Sequence, residues 1–142
     1  MHFDPKVWGP HYWFFLHTVA TTYPDNPNEI TKRKYYDLIQ NMPLFIPVTE
    51  MGNRFSKYLD KYPVTPYLDS KESFVRWIYF IHNKFNHITG KEEISLPLAI
   101  DLYNAEYKPK PIILTERIKI RKYYVHIAII IILLFLIYMY YE

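Results

Sequence analysis

From Tyr123 to Tyr141 the chain reads YYVHIAIIIILLFLIYMYY, nineteen residues without an Asp, Glu, Lys or Arg. At 1.5 Å of rise per residue, a helix of this length covers roughly the ~30 Å hydrocarbon core of a bilayer. Two other fates are open to such a run. It could be a helix buried in a protein core or, because Ile127 to Ile132 is strongly β-branched, an aggregation-prone strand. Tyrosines at both ends, where membrane interfaces attract them, and a basic flank favour the transmembrane helix. That flank holds Lys108, Lys110, Arg117, Lys119, Arg121 and Lys122 against the single acid Glu116. By the positive-inside rule this side is cytoplasmic. The expectation is a single-pass membrane protein with a C-terminal anchor at 123–141 and a cytosolic N-terminal domain at 1–107. Between them, a basic juxtamembrane stem at 108–122 contacts anionic lipid of the bilayer. The opening MHFDPKVWGP has no basic segment followed by an apolar run, so no cleavable signal peptide is expected.

The basic balance belongs to that stem. Residues 1–107 hold eleven Lys and Arg against twelve Asp and Glu, which leaves about −1 and argues against nucleic acid as a partner. With 50% hydrophobic and 22% charged residues, the chain is composed like a folded protein and has room for one compact domain plus the appendage. The 15 tyrosines and an aromatic share of 19% suit a core or a flat aromatic ligand and do not choose between them. There is no cysteine, so the chain has no disulfide, no thiolate metal site and no thiol nucleophile.

Within 1–107 the periodicity is helical throughout. Gly9-Pro10 marks the start of a first helix that Tyr23-Pro24 closes. A second runs from about Asn28 to Asn41, stopped before Pro43, and a third from about Thr49 to Tyr62, ahead of Pro63 and Pro66. The fourth begins with Asp69 and Glu72 as a capping-box-like pair. It carries an apolar face of Phe74, Trp77, Ile78, Ile81, Phe85 and Ile88 and stops at Gly90. A shorter fifth spans Ser95 to Tyr107. Short connections between amphipathic helices predict an all-α bundle of antiparallel neighbours.

The fourth helix poses the functional question. His82, Asn83 and Asn86 share one stripe near Trp77, and on the first helix Trp13 and His17 are likewise four apart. Polar groups on apolar helices cost free energy unless each is paired. Two explanations stand at this level: a ligand slot between the two helices, or hydrogen bonds from these side chains to backbone at loop junctions. His11, His17, His82 and His87 show neither HxxxH nor HExxH spacing, and no attendant carboxylate supports a metal site. No acid–base or nucleophilic constellation is visible.

Taken together, WGPHYWFFLHTVATTYP and RWIYFIHNKFNHITGK resemble the two FAD-binding signatures of the Erv/ALR flavin-dependent sulfhydryl oxidases, including those of large DNA viruses. The resemblance covers residues 8 to about 95. It implies a compact bundle of four helices plus a short fifth, with the isoalloxazine and adenine of FAD held between helices. Carried onto this chain, the flavin-contacting positions are Trp13, His17, Trp77, His82, Asn83 and Asn86. Gly9, Tyr12 and Tyr23 support them, and Lys84 or Lys91 lies near phosphate.

The departure from that pattern is equally informative. Where the family carries a redox CxxC at the start of the third helix, this chain reads LFIPVTEMGNRF, which puts Val48 and Met51 at the two cysteine positions. A cysteine the family often has in the fourth helix is Tyr79 here. Neither Val nor a thioether can attack a disulfide, so dithiol oxidation by this chain alone is excluded. The first expectation is a degenerate or scaffold flavoprotein, acting as a homodimer or beside a cysteine-bearing oxidase relative. Two alternatives remain: an FAD-dependent thiol oxidase that uses external thiols directly, and a structural membrane protein without flavin.

Overall fold

The structure is a computed structural model that describes residues 3–109 and 114–142, with side-chain surroundings given for 3–109 and 119–142. Lys110 and the side chains of Glu116 and Arg117, counted above in the stem, lie outside the described residues. All described regular structure is helical: α1 (Pro5–Thr21), α2 (Glu29–Phe45), α3 (Thr49–Lys61), a 3₁₀ turn (Thr65–Tyr67), α4 (Lys71–Ile88), α5 (Leu96–Ala105) and α6 (Leu114–Tyr141). The chain divides into two compact units, Met1–Asn104 and Ala105–Glu142.

In the first unit α1 packs along α4 and α2 along α3. The helices meet over a core that includes Leu16, Ile39, Phe55, Leu59, Phe74, Trp77, Ile78 and Ile81. The apolar face expected for α4 is the one buried, with Ile88 at its margin. The fifth helix, expected over Ser95 to Tyr107, spans Leu96–Ala105, and three other boundaries differ from the sequence expectation, each for a local reason. α1 starts at Pro5, not at Gly9-Pro10, because Asp4 caps it by accepting from the Lys6 backbone N–H at 2.9 Å and Pro5 fills the first turn. Pro10 then sits inside the helix at an exposed position, where its cost is one intrahelical bond to the Lys6 carbonyl. α2 continues past Pro43 to Phe45, whose carbonyl accepts from the Tyr12 hydroxyl at 2.7 Å. α4 is capped by Ser70, which accepts from the Ser73 N–H at 3.2 Å. Asp69 is not the cap because its carboxylate is held by Lys32 at 2.9 Å.

Two small residues act where the chain turns or closes up. Gly90, with φ +68°, takes the left-handed position after α4. Gly52 lets α3 lie against the end of α2, since a Cβ there would stand 2.6 Å from the Pro43 carbonyl oxygen.

In the second unit, Lys119–Tyr141 is 23 residues long, and its most apolar 18 residues have a mean hydropathy of 2.3 and are unburied. At about 34 Å it is long and apolar enough to cross a membrane.

Candidate functional site

Between α1, the end of α2, the start of α3 and the end of α4 lies a cavity of about 340 Å³. This is within the size range of small-ligand pockets. Its walls are largely aromatic and aliphatic: Trp8, Tyr12, Trp13, Phe55 and Phe85, with Leu16, Met42, Ile46 and Met51. Helical spacing builds this wall. Trp8 and Tyr12 are one turn apart and meet edge to face at 5.2 Å, while Trp13 meets Phe85 at 5.5 Å and Phe55 at 6.4 Å from across the bundle. Gly9 lines the same space, and a Cβ added there would meet nothing within 4 Å. The polar lining comes from Asp4, Lys6, Asn86, Thr89 and Lys91.

Behind Trp13 stands a stack of rings that do not themselves line the cavity. The His82 imidazole lies parallel to the Trp13 indole at 4.1 Å, and its Nδ1 is 2.9 Å from His17 Nε2. One ring nitrogen donates and the other accepts, so the accepting imidazole is neutral, and the donating one can be neutral as well. Burial favours that state: it lowers His17 to about 4. It lowers His82 to about 3, with added repulsion from His17 and Lys91. Tyr79 packs on His17 with ring centroids 5.0 Å apart. Its hydroxyl is buried without a hydrogen-bond partner among the described residues, and burial pushes its ionisation up to about 12.

Of the positions singled out in the sequence, Gly9, Tyr12, Trp13, Asn86 and Lys91 reach the cavity, and Met51 stands on its wall. His17 and His82 form the layer behind Trp13. The others do different work. Asn83 donates to the Ile94 carbonyl at 2.8 Å and accepts the Ile94 N–H at 3.2 Å, pinning the segment that follows α4. Trp77 is 1% exposed and bonds the Tyr62 carbonyl, and fully buried Tyr23 bonds the Leu68 carbonyl. Lys84 leans toward Glu93 at 3.9 Å and over the Phe80 ring. Val48 caps α3 with no side-chain hydrogen bond. Sequence reasoning missed Lys6, Trp8, Phe55 and Phe85 as lining residues. The i, i+4 pairs Trp8/Tyr12 and Met51/Phe55 were the available signal, but the same spacing describes any core-facing helix.

This set of groups can hold a flat, mostly apolar ring system with an anionic portion. It offers no thiol, no nucleophile with an adjacent base, and among the described residues no group of three or more His, Asp or Glu placed for a metal.

A family model described as the Erv1 / Alr family matches residues 10–108. A probable FAD-linked sulfhydryl oxidase of Acanthamoeba polyphaga mimivirus is 36% identical over 108 residues, covering 75% of this chain and 76% of the relative. An FAD-linked sulfhydryl oxidase of African swine fever virus is 34% identical over 88 residues, covering 62% of this chain and 72% of the relative. The crystal structure of the FAD binding domain of Erv1 from Saccharomyces cerevisiae superposes with TM-score 0.64 at 25% identity, over 75% of this chain and 96% of that one. The yeast Erv1 core superposes equally well at 24% identity, over 76% and 86%.

Proposed function

Because the chain belongs to the Erv1 / Alr family, we propose that it is a membrane-anchored flavoprotein that holds FAD in the aromatic cavity and has lost the family's own dithiol chemistry. One juxtaposition supports this above all: Met51, at the position of a redox cysteine, lines an intact aromatic cavity in a chain with no cysteine. The residues present suit the cofactor. Trp8, Tyr12, Trp13 and Phe85 offer faces and edges to a flat ring, and Gly9 leaves room beside it. Asn86 and Lys91 provide polar contacts, and the neutral His17–His82 pair fixes the indole of Trp13 from behind. Bound FAD supplies a two-electron acceptor. What the protein lacks is the sulfur that would deliver electrons to it, since a thioether cannot attack a disulfide.

In this reading residues 1–107 form the cofactor domain, 108–122 the stem and 123–141 the membrane span, with the positive flank on the cytosolic side. The protein then acts as a scaffold, or beside a cysteine-bearing relative. The test is the visible spectrum of the full chain purified in a non-ionic detergent and incubated with FAD. Flavin absorbance that co-elutes with the protein, combined with negligible dithiothreitol-dependent oxygen consumption, is expected. A folded preparation that stays colourless defeats the flavoprotein reading. Brisk turnover without any cysteine defeats the loss of chemistry and favours direct reduction of the flavin by external thiols.

A further inference from the structure

We propose that Lys6, acting with Lys91, forms an anion-binding edge of the cavity and makes it select flavins that carry phosphate over riboflavin. This rests on the flavin reading above and deepens it. The two lysines reach one aromatic cavity from different elements, Lys6 from the first turn of α1 and Lys91 from the segment after α4. Neither ammonium makes an ion pair among the described residues, as is also true of Arg33, Lys34, Lys57 and Lys61 in the same unit, but only Lys6 and Lys91 of these line the cavity.

Among the described residues the only carboxylate on the lining is Asp4, whose Oδ1 accepts the Lys6 backbone N–H at 2.9 Å as the cap of α1. Two cations against one anion leave the lining of an otherwise largely apolar cavity with a surplus of about one positive charge. Such a surplus beside apolar surface favours an anionic ligand, and a phosphate oxygen pairs with an ammonium through a charge-assisted hydrogen bond.

Lys91 is presented rather than left loose. Its backbone N–H donates to the Asn86 carbonyl at 2.8 Å, and Asn83 pins the same segment further along through Ile94. Lys6 has its own anchor in the capped first turn of α1. It also lies ahead of residue 10, where the match to the family begins.

The experiment titrates the full chain in non-ionic detergent with FAD and with riboflavin, following quenching of the cavity tryptophans, for wild type, Lys6→Ala and Lys6→Arg at low and high salt. Riboflavin carries the same ring system without phosphate and reports on the aromatic wall alone. The expected result is FAD affinity about five- to tenfold weaker for Lys6→Ala at low salt, with riboflavin changed by less than about twofold. The difference should shrink at high salt, and Lys6→Arg should stay near wild type. Unchanged FAD affinity in Lys6→Ala overturns the proposal. So does an equal loss for both flavins, which would make Lys6 a support of the wall. A wild-type chain that binds neither flavin defeats the flavin reading itself, and this inference with it.

Discussion

On the α1–α4 side of the cavity, Trp13 stacks on His82, His82 bonds His17, and Asn86 reaches the lining. On the α2–α3 side the wall is Met42, Ile46, Met51 and Phe55, with no group that ionises. Both sides belong to one bundle, yet one carries the polar residues that resemble a cofactor signature and the other is apolar. In the proposed reading, binding a cofactor and doing chemistry with it depend on different helices. The first needs rings and fixed donors on α1 and α4. The second needs sulfur at the start of α3, where a side chain can be changed without touching the first set.

The largest effect should come from restoring the lost side. Val48→Cys with Met51→Cys rebuilds a CxxC at the N-terminus of α3, where the helix end lowers a thiol's pKa and favours the thiolate. A thiolate fixed beside the cavity has an effective concentration far above that of a diffusing thiol, so dithiothreitol-dependent oxygen consumption of FAD-loaded protein should rise by about two orders of magnitude or more. An oxygen electrode checks this. If the double variant is folded, FAD-loaded and forms the disulfide but is no faster than wild type, loss of cysteine is not what separates the two sides.

Next in size is the pH dependence of the α1–α4 side. The unfolded histidines have values near 6.5, while the folded ones are lowered to about 4 for His17 and about 3 for His82, chiefly by burial. Between these values the unfolded chain binds more protons. The stability from the neutral pair is thus fully present above pH 6.5 and is lost as pH falls toward 4 and then 3. The slope should approach ~1.4 kcal/mol per pH unit for each histidine. Denaturant midpoints followed through near-ultraviolet signals of the tryptophans between pH 7.5 and 5 measure it. His82→Leu should roughly halve the slope, and an unchanged slope would assign the pH dependence to other groups.

The α2–α3 side should respond instead to crowding. Gly52→Ala sets a Cβ 2.6 Å from the backbone oxygen of Pro43, so the two helices must part. Overpacking of this kind costs ~1–3 kcal/mol. The better helix propensity of alanine returns up to ~1 kcal/mol. A net loss of ~1–2 kcal/mol is expected from thermal melts, and no loss would mean that α3 shifts freely against α2.

How much of this the sequence disclosed follows the same division. Among the described residues, helical periodicity and the uncharged run located the α-helices, though not the 3₁₀ turn, because the apolar faces of α3 and α4 repeat every three to four residues. Boundaries were less legible where a distant partner decides them. Asp69 looks like a cap until Lys32, far away in sequence, claims its carboxylate. Pro10 reads as part of a helix start and Pro43 as a breaker, but both stand inside helices whose ends are held by Asp4 and Tyr12. In the site, Trp13, His17, His82 and Asn86 were visible as polar or aromatic residues at matched spacing. Phe55 and Phe85 were not, since a cavity wall and a core share one pattern until the opposing helix is in place. The role of Asn83 as a clamp on Ile94 matches the explanation of backbone bonding at a loop junction.

The smallest effect tests whether the polar side is complete. Tyr79 sits two residues after Trp77 on α4, against His17, with its hydroxyl buried and unpaired among the described residues. A hydroxyl removed from water without a replacement bond is destabilising by ~1–3 kcal/mol. Much of that is offset by the packing of the ring itself, which phenylalanine keeps. Tyr79→Phe should therefore be neutral or stabilise the protein by up to ~1 kcal/mol, read as a rise in melting temperature of a few degrees. The His17–His82 bond should survive, so the pH slope described above should not move. A loss of ~1 kcal/mol or more would mean that the hydroxyl has a partner in solution, such as a bound water. A loss confined to the FAD-loaded protein would identify that partner as the cofactor, and would bring Tyr79 into the polar set of α1 and α4.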